Sequence, residues 1–313
     1  MKFKKPKFWD YKKPNLLSYL LLPFTFPLII NNFFLGLEKK KDSTSKIKKI
    51  CVGNIYVGGT GKTPLVIKIN QILNQLGYKT AVIKKFYKNH IDEQKILTES
   101  TKLYCLKDRM TALNAVIKDN NNIAIFDDGL QDQSINYDLK FVCFNNIRWI
   151  GNGLLIPAGP LREKIESISK YDAVFINGNE ADTSNLKLLI NKHNKNIKVF
   201  EAHYLPINTD LFDPDDKYIA FSGIGNPETF RETLLKNKFN IIKDIIFPDH
   251  HNYTQAHIDK IKLQAKNLDA KIITTEKDFV KINSNKNTDI RFLKIELKIK
   301  NEEELISYLK LHI

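Results

Sequence analysis

Cysteine is scarce, with only Cys51, Cys105 and Cys143 among 313 residues. They are odd in number, scattered, and without Cys-x-x-Cys spacing. That excludes a disulfide scaffold and a cysteine zinc site, and it suits a reducing compartment. Cys51 and Cys143 fall in apolar β-like runs, where cysteine behaves as a small core hydrophobe. Also missing is any zinc-finger, helix-turn-helix or aromatic-interleaved RNA signature, and this absence decides how the charge is read. Lysine and arginine total 49 against 35 acidic residues, a formal charge of +14, yet lysines are spread through ordinary connectors such as Asn191-Lys192-His193-Asn194-Lys195-Asn196. The excess is a compositional bias, and no nucleic-acid partner is expected. A basic surface still favours anionic partners, acidic lipid included. There is no internal repeat, no long low-complexity tail and no Asn-Lys-x-Asp guanine-reading motif.

A further absence is local. Leu16–Leu37 contains no charged residue, while Lys2, Lys4, Lys5, Lys7, Lys12 and Lys13 precede it and Lys39, Lys40 and Lys41 follow. The length would permit a membrane span. However, Pro23 and Pro27 interrupt it, and Asn31-Asn32 place amides within it. No small-residue cleavage site follows, and the apolar run is too long for a cleaved signal peptide. Residues 1–45 are therefore expected to form a membrane-embedded or interfacial segment. Its lysines would snorkel to anionic headgroups and leave the rest of the chain in the cytoplasm. A true span and a buried core helix are the alternatives.

What is present centres on Gly53-Asn54-Ile55-Tyr56-Val57-Gly58-Gly59-Thr60-Gly61-Lys62-Thr63-Pro64. The run follows a β-like stretch, Lys48–Val52, and opens a helical pattern at Thr63. Strand, glycine loop and helix in that order are the context of a phosphate-binding loop. The segment from Tyr56 through Val57, Gly58, Gly59, Thr60 and Gly61 would wrap a triphosphate. Its backbone N–H groups would face the anion, and the helix N-terminus would add its dipole. Lys62 would reach the β/γ-phosphates of ATP, and the Thr63 hydroxyl would ligate Mg²⁺. Tyr56 stands where the usual first glycine would be, six residues before Lys62.

Beyond the loop, strands and helices alternate. Helices are predicted at Thr63–Leu76, Asp92–Thr98 and Met110–Ile117. Strands are predicted at Thr80–Ile83, Ile123–Phe126, Phe141–Phe144, Ala173–Ile176 and Val199–Ala202. This rhythm predicts a phosphate-loop NTPase-type α/β fold, a parallel sheet flanked by helices, over residues 46–207. Residues 208–217 are polar and turn-rich and read as a linker. A smaller α/β domain is expected over 218–313, with strands Tyr218–Ser222, Ile241–Phe247, Lys271–Thr274 and Phe292–Ile295. Its helices would be Pro227–Lys236, Gln255–Lys266 and Glu302–Leu311.

Asp127-Asp128-Gly129 ends the predicted strand Ile123–Phe126, where a phosphate-loop enzyme holds Mg²⁺ or its water shell. Adjacent carboxylates on an extended strand point to opposite sides, so one of the pair orients the loop or a neighbouring donor. Gly151 through Glu163 is a second glycine- and proline-rich run. It ends on Arg162, suited either to bidentate phosphate contact or to a surface ion pair. Phe247-Pro248-Asp249-His250-His251 lacks the partners of a metal site. Gly223-Ile224-Gly225-Asn226-Pro227 reads as a helix-initiating turn.

Taken in order, Val52 through Pro64, Asp127-Asp128-Gly129-Leu130-Gln131, Gly151 through Glu163, Phe221 through Pro227 with Phe230, Phe247 through His251, and Thr275-Glu276-Lys277-Asp278 resemble one family. That family is the tetraacyldisaccharide 4'-kinases of lipid A biosynthesis, and the likeness covers about residues 50–280. The resemblance implies a membrane-associated kinase on the cytoplasmic face of the inner membrane. It would transfer the ATP γ-phosphoryl group to the 4'-hydroxyl of an acylated glucosamine disaccharide 1-phosphate, at the anionic lipid surface. The family's Gly-Asp-Glu-Pro run corresponds to Ile91-Asp92-Glu93-Gln94, with the glycine and proline absent. By that correspondence Asp92 accepts the hydroxyl proton, Glu93 assists at the metal, and His250 partners Asp92 across the cleft between domains. The family's Ser-Arg-Gly-Tyr-Gly stands here as Lys84-Lys85-Phe86-Tyr87-Lys88. From its position alone, Asp92 is a carboxylate at a helix start, equally suited to capping. A membrane-bound ATPase switch is the rival reading, although the Pro157–Glu163 run has no evident use in one.

Overall fold

The computed structural model describes residues 5–37, 47–88, 90–178, 182–282 and 286–313. Lys2, Lys4 and Lys39–Lys41, expected to flank the apolar segment, lie outside the described residues.

Two sheets organise the chain. The larger is ordered β12-β7-β6-β5-β1-β4-β2-β3. Its strands are β1 (Lys48–Gly53), β2 (Thr80–Lys85), β3 (Leu103–Leu106), β4 (Ile123–Asp127), β5 (Leu139–Asn145), β6 (Ala173–Gly178), β7 (Lys198–Pro206) and β12 (Ile295–Ile299). All neighbours are parallel except β12 against β7. The second sheet is ordered β11-β10-β8-β9 and is parallel throughout. Its strands are β8 (Lys217–Ser222), β9 (Asn240–Ile246), β10 (Lys271–Thr275) and β11 (Ile290–Leu293). The helices are α1 (Leu16–Leu21), α2 (Phe26–Leu37), α3 (Lys62–Gln75), α4 (Ile91–Ser100), α5 (Arg109–Lys118), α6 (Ser184–His193), α7 (Pro227–Lys236), α8 (Gln255–Asn267), α9 (Glu276–Phe279) and α10 (Glu302–His312).

β1 lies in the middle of the larger sheet and is buried on both faces. Ile50 and Val52 join a core with Leu65, Ile69 and Leu73 of α3, while Cys51 joins the opposite core with Leu113 and Val116 of α5. Burial on both faces explains why these strands read as continuous apolar runs rather than alternating ones. Chain order turns back at β1, with β4 on one side and β5 on the other. Such a crevice beyond the carboxyl ends is where open α/β sheets bind ligands.

The last twenty residues depart from expectation. The predicted strand Phe292–Ile295 straddles two strands, β11 in the second sheet and β12 in the first. Leu297 and Ile299 of β12 and Leu305 and Leu309 of α10 bury in the core of the large sheet. A single domain over 218–313 therefore does not describe where 295–313 fold. Their apolar side chains complete the edge beyond β7 instead. The predicted helix Glu302–Leu311 forms, but on that sheet.

The apolar N-terminus is broken, as its prolines require, into α1, a 3-10 turn at Leu22–Thr25 and α2. No helix among the described residues is long and apolar enough to cross a membrane. Ser18 and Thr25 are buried while Leu16, Leu17, Leu20, Phe24 and Phe26 are exposed, the reverse of a soluble amphipathic helix.

Candidate active site

The phosphate loop joins β1 to α3. Gly59 and Gly61 take left-handed backbone conformations, φ +41° and +81°. At Gly59 a Cβ would also come within 2.8 Å of the Gly225 carbonyl carbon, so only glycine permits the approach of that turn. Inside the loop, Asn54 Nδ2 donates to Thr60 Oγ1 at 3.0 Å and Asn177 Nδ2 to the Thr60 carbonyl at 2.7 Å. The rigid Gly151–Glu163 run forms one wall. The Pro160 carbonyl accepts the Val57 N–H at 3.0 Å, and Arg162 N–H donates to Ile55 O at 2.7 Å. The Val57 amide is thus spent on that wall. The Tyr56 side chain turns away from the loop, buried against Leu155 and Leu161. Its hydroxyl donates to Asp10 and accepts from Lys5 at 2.9 Å. The same wall seats the N-terminus, with Trp9 Nε1 donating to Pro157 O at 3.0 Å and Asn32 Nδ2 to Arg162 O at 2.9 Å.

Asp127 and Asp128 diverge. Parallel register sets Asp127 of β4 beside Lys84 of β2, and both lie at strand ends facing the loop. Asp127 Oδ2 accepts from Thr63 Oγ1 at 3.1 Å and from Lys84 Nζ at 2.6 Å, while its buried Oδ1 has no hydrogen-bond partner among the described residues. Asp128 has φ +62°, which swings its carboxylate to Lys62 Nζ at 3.7 Å and Arg162 at 3.2 Å. Burial would raise the Asp128 carboxyl, but Lys62 and Arg162 override it and hold it at about 2.

The second half of the site lies around Asp92 at the start of α4. Asp92 is 1 % exposed and accepts from the Glu93 amide. His250 Nδ1 sits 3.1 and 3.0 Å from its two oxygens, across 158 positions of sequence. Burial pushes the Asp92 carboxyl up, but the His250 hydrogen bond, with Lys277 and Lys281 nearby, outweighs it and holds the group at about 2. Asp92 does not cap α4 with its side chain; the N-cap residue is His90. Glu93 is held by Lys84 at 2.8 Å and Lys277 at 3.3 Å. Against the opposing effect of burial, Lys277, Lys84 and His250 keep it well below the usual carboxylate range. Glu93 therefore reaches the Thr63–Asp127 pair only through Lys84, and Asp128 faces cations rather than that pair.

His250 is positioned from the second sheet. Its amide donates to Gly223 O at 3.1 Å, and the Gly223 amide in turn donates to Asp278 Oδ2 at 2.8 Å. Asp278 is fixed by Thr275, the N-cap of α9, at 2.7 Å. That α9 turn aims Lys277 into the cleft, 3.2 Å from Asp249 and 3.9 Å from Asp92. Three side chains here were given no role in the sequence reading: Lys84, Asp249 and Lys277. The signal for the last was available, since Thr275–Asp278 is a strand-end capping turn. Nothing local marks Lys84 among so many lysines.

A family model described as "Tetraacyldisaccharide-1-P 4'-kinase" (LpxK) matches residues 17–313. A tetraacyldisaccharide 4'-kinase of Pelagibacter ubique (strain HTCC1062) is 49 % identical over 309 residues, 99 % of this chain and 98 % of the relative. The chain belongs to the tetraacyldisaccharide 4'-kinase family. A second relative of that name, from Rickettsia canadensis (strain McKiel), is 35 % identical over 95 % of this chain and 93 % of its own length. Among solved structures, LpxK of Aquifex aeolicus in complex with ATP has the same fold. Its TM-score is 0.68 at 22 % identity, covering 95 % of this chain and 99 % of that one. Membership makes the chain a kinase, and nothing in these likenesses favours an ATPase switch.

Proposed function

We propose that this family member transfers the γ-phosphoryl group of ATP to the 4'-hydroxyl of an acylated glucosamine disaccharide 1-phosphate at an anionic membrane surface. One observation carries the assignment of roles: a buried, ionised Asp92 pinned by His250 beside a phosphate loop. Such a carboxylate can accept the hydroxyl proton as the oxygen attacks the γ-phosphorus and ADP leaves. The His250 hydrogen bond orients it and keeps it unprotonated. Lys62 and Arg162 already hold one anion, Asp128, between them. A γ-phosphate entering there would take over those cations, whose charge then stabilises the transferring group.

Thr63 and Asp127 fit Mg²⁺. They are hard oxygen donors at hydrogen-bonding separation, and Asp127 Oδ1 is buried with no partner among the described residues. Bound there, the ion would supply charge neutralisation at the β- and γ-phosphate oxygens. We assign Glu93 and Asp128 to the lysine and arginine network around that site rather than to the ion itself.

The outward-facing Leu16, Leu17, Leu20, Phe24 and Phe26 supply the apolar surface for an interfacial segment on the cytoplasmic leaflet. The wall they share with the phosphate loop would set the acceptor's headgroup near Asp92. The test is product formation from labelled ATP and the disaccharide 1-phosphate lipid in detergent. Lys62→Ala and Asp92→Asn should each lower kcat about 10²–10⁴-fold. ATP hydrolysis without phosphorylated lipid would overturn the kinase assignment, and full activity in Asp92→Asn would remove the base.

A further inference from the structure

We propose that Asp278 is a positioning residue for phosphoryl transfer: its carboxylate withholds the Lys281 ammonium from Asp92 and so leaves one oxygen of the base open to the acceptor hydroxyl. This rests on the base role given to Asp92 above and adds to it the group that protects that role.

The two oxygens of Asp92 are not equivalent. Oδ1 accepts the Glu93 amide at 2.9 Å and lies 3.1 Å from His250 Nδ1. Oδ2 lies 3.0 Å from that same nitrogen and accepts from no other donor among the described residues. A carboxylate oxygen offers roughly two acceptor positions, so Oδ2 is the oxygen with room for the hydroxyl proton. Two ammonium groups stand beside it, Lys281 Nζ at 3.6 Å and Lys277 Nζ at 3.9 Å. Each is held back by nearer carboxylates. Lys277 is drawn to Asp249 at 3.2 Å and to Glu93 at 3.3 Å. Lys281 has one closer carboxylate among the described residues, Asp278, whose Oδ1 lies at 2.7 Å.

The hold of Asp278 on Lys281 is ionic only. Neither Lys281 Nζ nor Asp278 Oδ1 makes an aligned hydrogen bond among the described residues, and the Tyr253 ring, 5.3 Å from the ammonium, adds a weaker cation–π contact. The side chains of Asp278, Asp92 and Lys281 are 0 %, 1 % and 10 % exposed, so water screens these charges little and the nearer anion keeps the cation. The other oxygen of Asp278 serves a separate purpose. Oδ2 accepts the Gly223 amide at 2.8 Å and the Thr275 hydroxyl at 2.7 Å, and Gly223 O accepts the His250 amide at 3.1 Å. Asparagine at this position can keep both Oδ2 bonds with its amide oxygen, while its NH₂ group faces Lys281 and repels it. The freed ammonium then has Asp92 Oδ2 as its nearest anion. A lysine hydrogen bond there would occupy the lone pair that the hydroxyl proton needs and would weaken the base.

The experiment measures single-turnover phosphoryl transfer from labelled ATP to the disaccharide 1-phosphate lipid in the full chain, with ATP affinity read by calorimetry. Asp278→Asn should slow transfer about 10–100-fold, part of the roughly 10²–10⁴ that a general base supplies, while ATP affinity stays that of the parent. Adding Lys281→Met removes the ammonium as well, so the double variant should recover most of the lost rate. Lys281→Met alone should speed transfer, because Asp92 loses a nearby cation and becomes the stronger base. A double variant as slow as Asp278→Asn would overturn the inference and leave Asp278 a structural residue. So would parent-like transfer in Asp278→Asn. Should Asp278→Asn not fold, Lys281→Met decides, since transfer slower than the parent's would refute the protection of Asp92. Asp92→Asn separates this inference from the reading beneath it. Full activity there removes the base and the inference together, whereas a slow Asp92→Asn beside a parent-like Asp278→Asn removes the inference alone.

Discussion

Lys84 offers the sharpest test of how the site is held together. Its Nζ lies 2.6 Å from Asp127 and 2.8 Å from Glu93, and its side chain is only 5 % exposed. A buried and a half-buried carboxylate share one ammonium, which burial would tend to neutralise. The two anions overcome that and keep the lysine charged, its pKa raised above the ordinary lysine value. At an effective dielectric near 20 each contact is a Coulomb attraction of about 6 kcal/mol, most of it offset by desolvation of the three groups. Removal of the cation alone leaves that desolvation uncompensated, and breaking a buried pair in this way costs about 3–5 kcal/mol. Lys84→Met keeps the aliphatic length and deletes only the charge. At roughly 2–4 °C per kcal/mol for a domain of this size, the melting temperature should fall about 6–20 °C.

The assay is thermal unfolding followed by intrinsic fluorescence, with and without Mg²⁺, using Lys88→Met on the exposed side of the same segment as control. Mg²⁺ should recover part of the loss in Lys84→Met, because the ion held by Thr63 and Asp127 would restore positive charge beside the carboxylates the lysine served. It should do little for the control. A Lys84→Met protein that melts with the parent would refute the claim that this lysine holds the two halves of the site. A large loss insensitive to Mg²⁺ would count against Asp127 as a residue that holds the ion.

His250→Ala removes the hydrogen bond that outweighs burial at Asp92, so that carboxyl should rise from about 2 toward and above its usual 3.8. The acid limb of kcat/KM should then move to higher pH, read from a pH–rate profile. Because the folded pKa is depressed, the associated stability, about 2 kcal/mol, is present above pH 4 and lost as pH falls toward 2; the variant should lack that loss in acid melts. Gly59→Ala places a methyl 2.8 Å from the Gly225 carbonyl carbon at a φ unsuited to alanine, so ATP affinity measured by calorimetry should collapse. Tyr56→Phe removes a hydroxyl bound to Asp10 and Lys5, worth about 1.5–3 kcal/mol as a charge-assisted contact. It should loosen the N-terminal segment and raise KM for the lipid more than KM for ATP, and an effect confined to ATP would count against this anchoring role.

The donor side of the site was legible because its signals are local. A buried apolar run, three glycines and a helical stripe in order leave one reading of residues 48–76. β3 escaped because it is a four-residue edge strand, half-buried, with no alternation. α6 escaped because Ile190 is its only buried residue and asparagine and lysine fill the rest. The β11–β12 junction was misread because the apolar run is continuous in sequence while the chain changes sheets. Lys294, between them, donates to Asn208 and accepts from Ile207, so the two crossings of the chain pair with each other. Lys84 was hidden by composition. Among 49 basic residues, only strand register against β4 singles out the one that reaches Asp127.

The acceptor side was harder for a physical reason: none of its pairs is local. Asp92 meets His250, and Glu93 meets Lys277, 184 positions away. The same second-sheet loops that carry those partners also touch the phosphate loop. Gly225 lies against Gly59, and Asp249 reaches toward Gly58. Arg148 binds the Gly225 carbonyl at 2.7 Å and lies 3.8 Å from Asp10, on the N-terminal segment. The seat of the second sheet therefore fixes three things at once: the orientation of Asp92, the shape of the nucleotide loop, and the anchor of the segment whose apolar face is exposed. A substitution at Arg148 should consequently disturb ATP binding and the Asp92–His250 pair together, although it touches neither the phosphate loop's ligand nor Asp92.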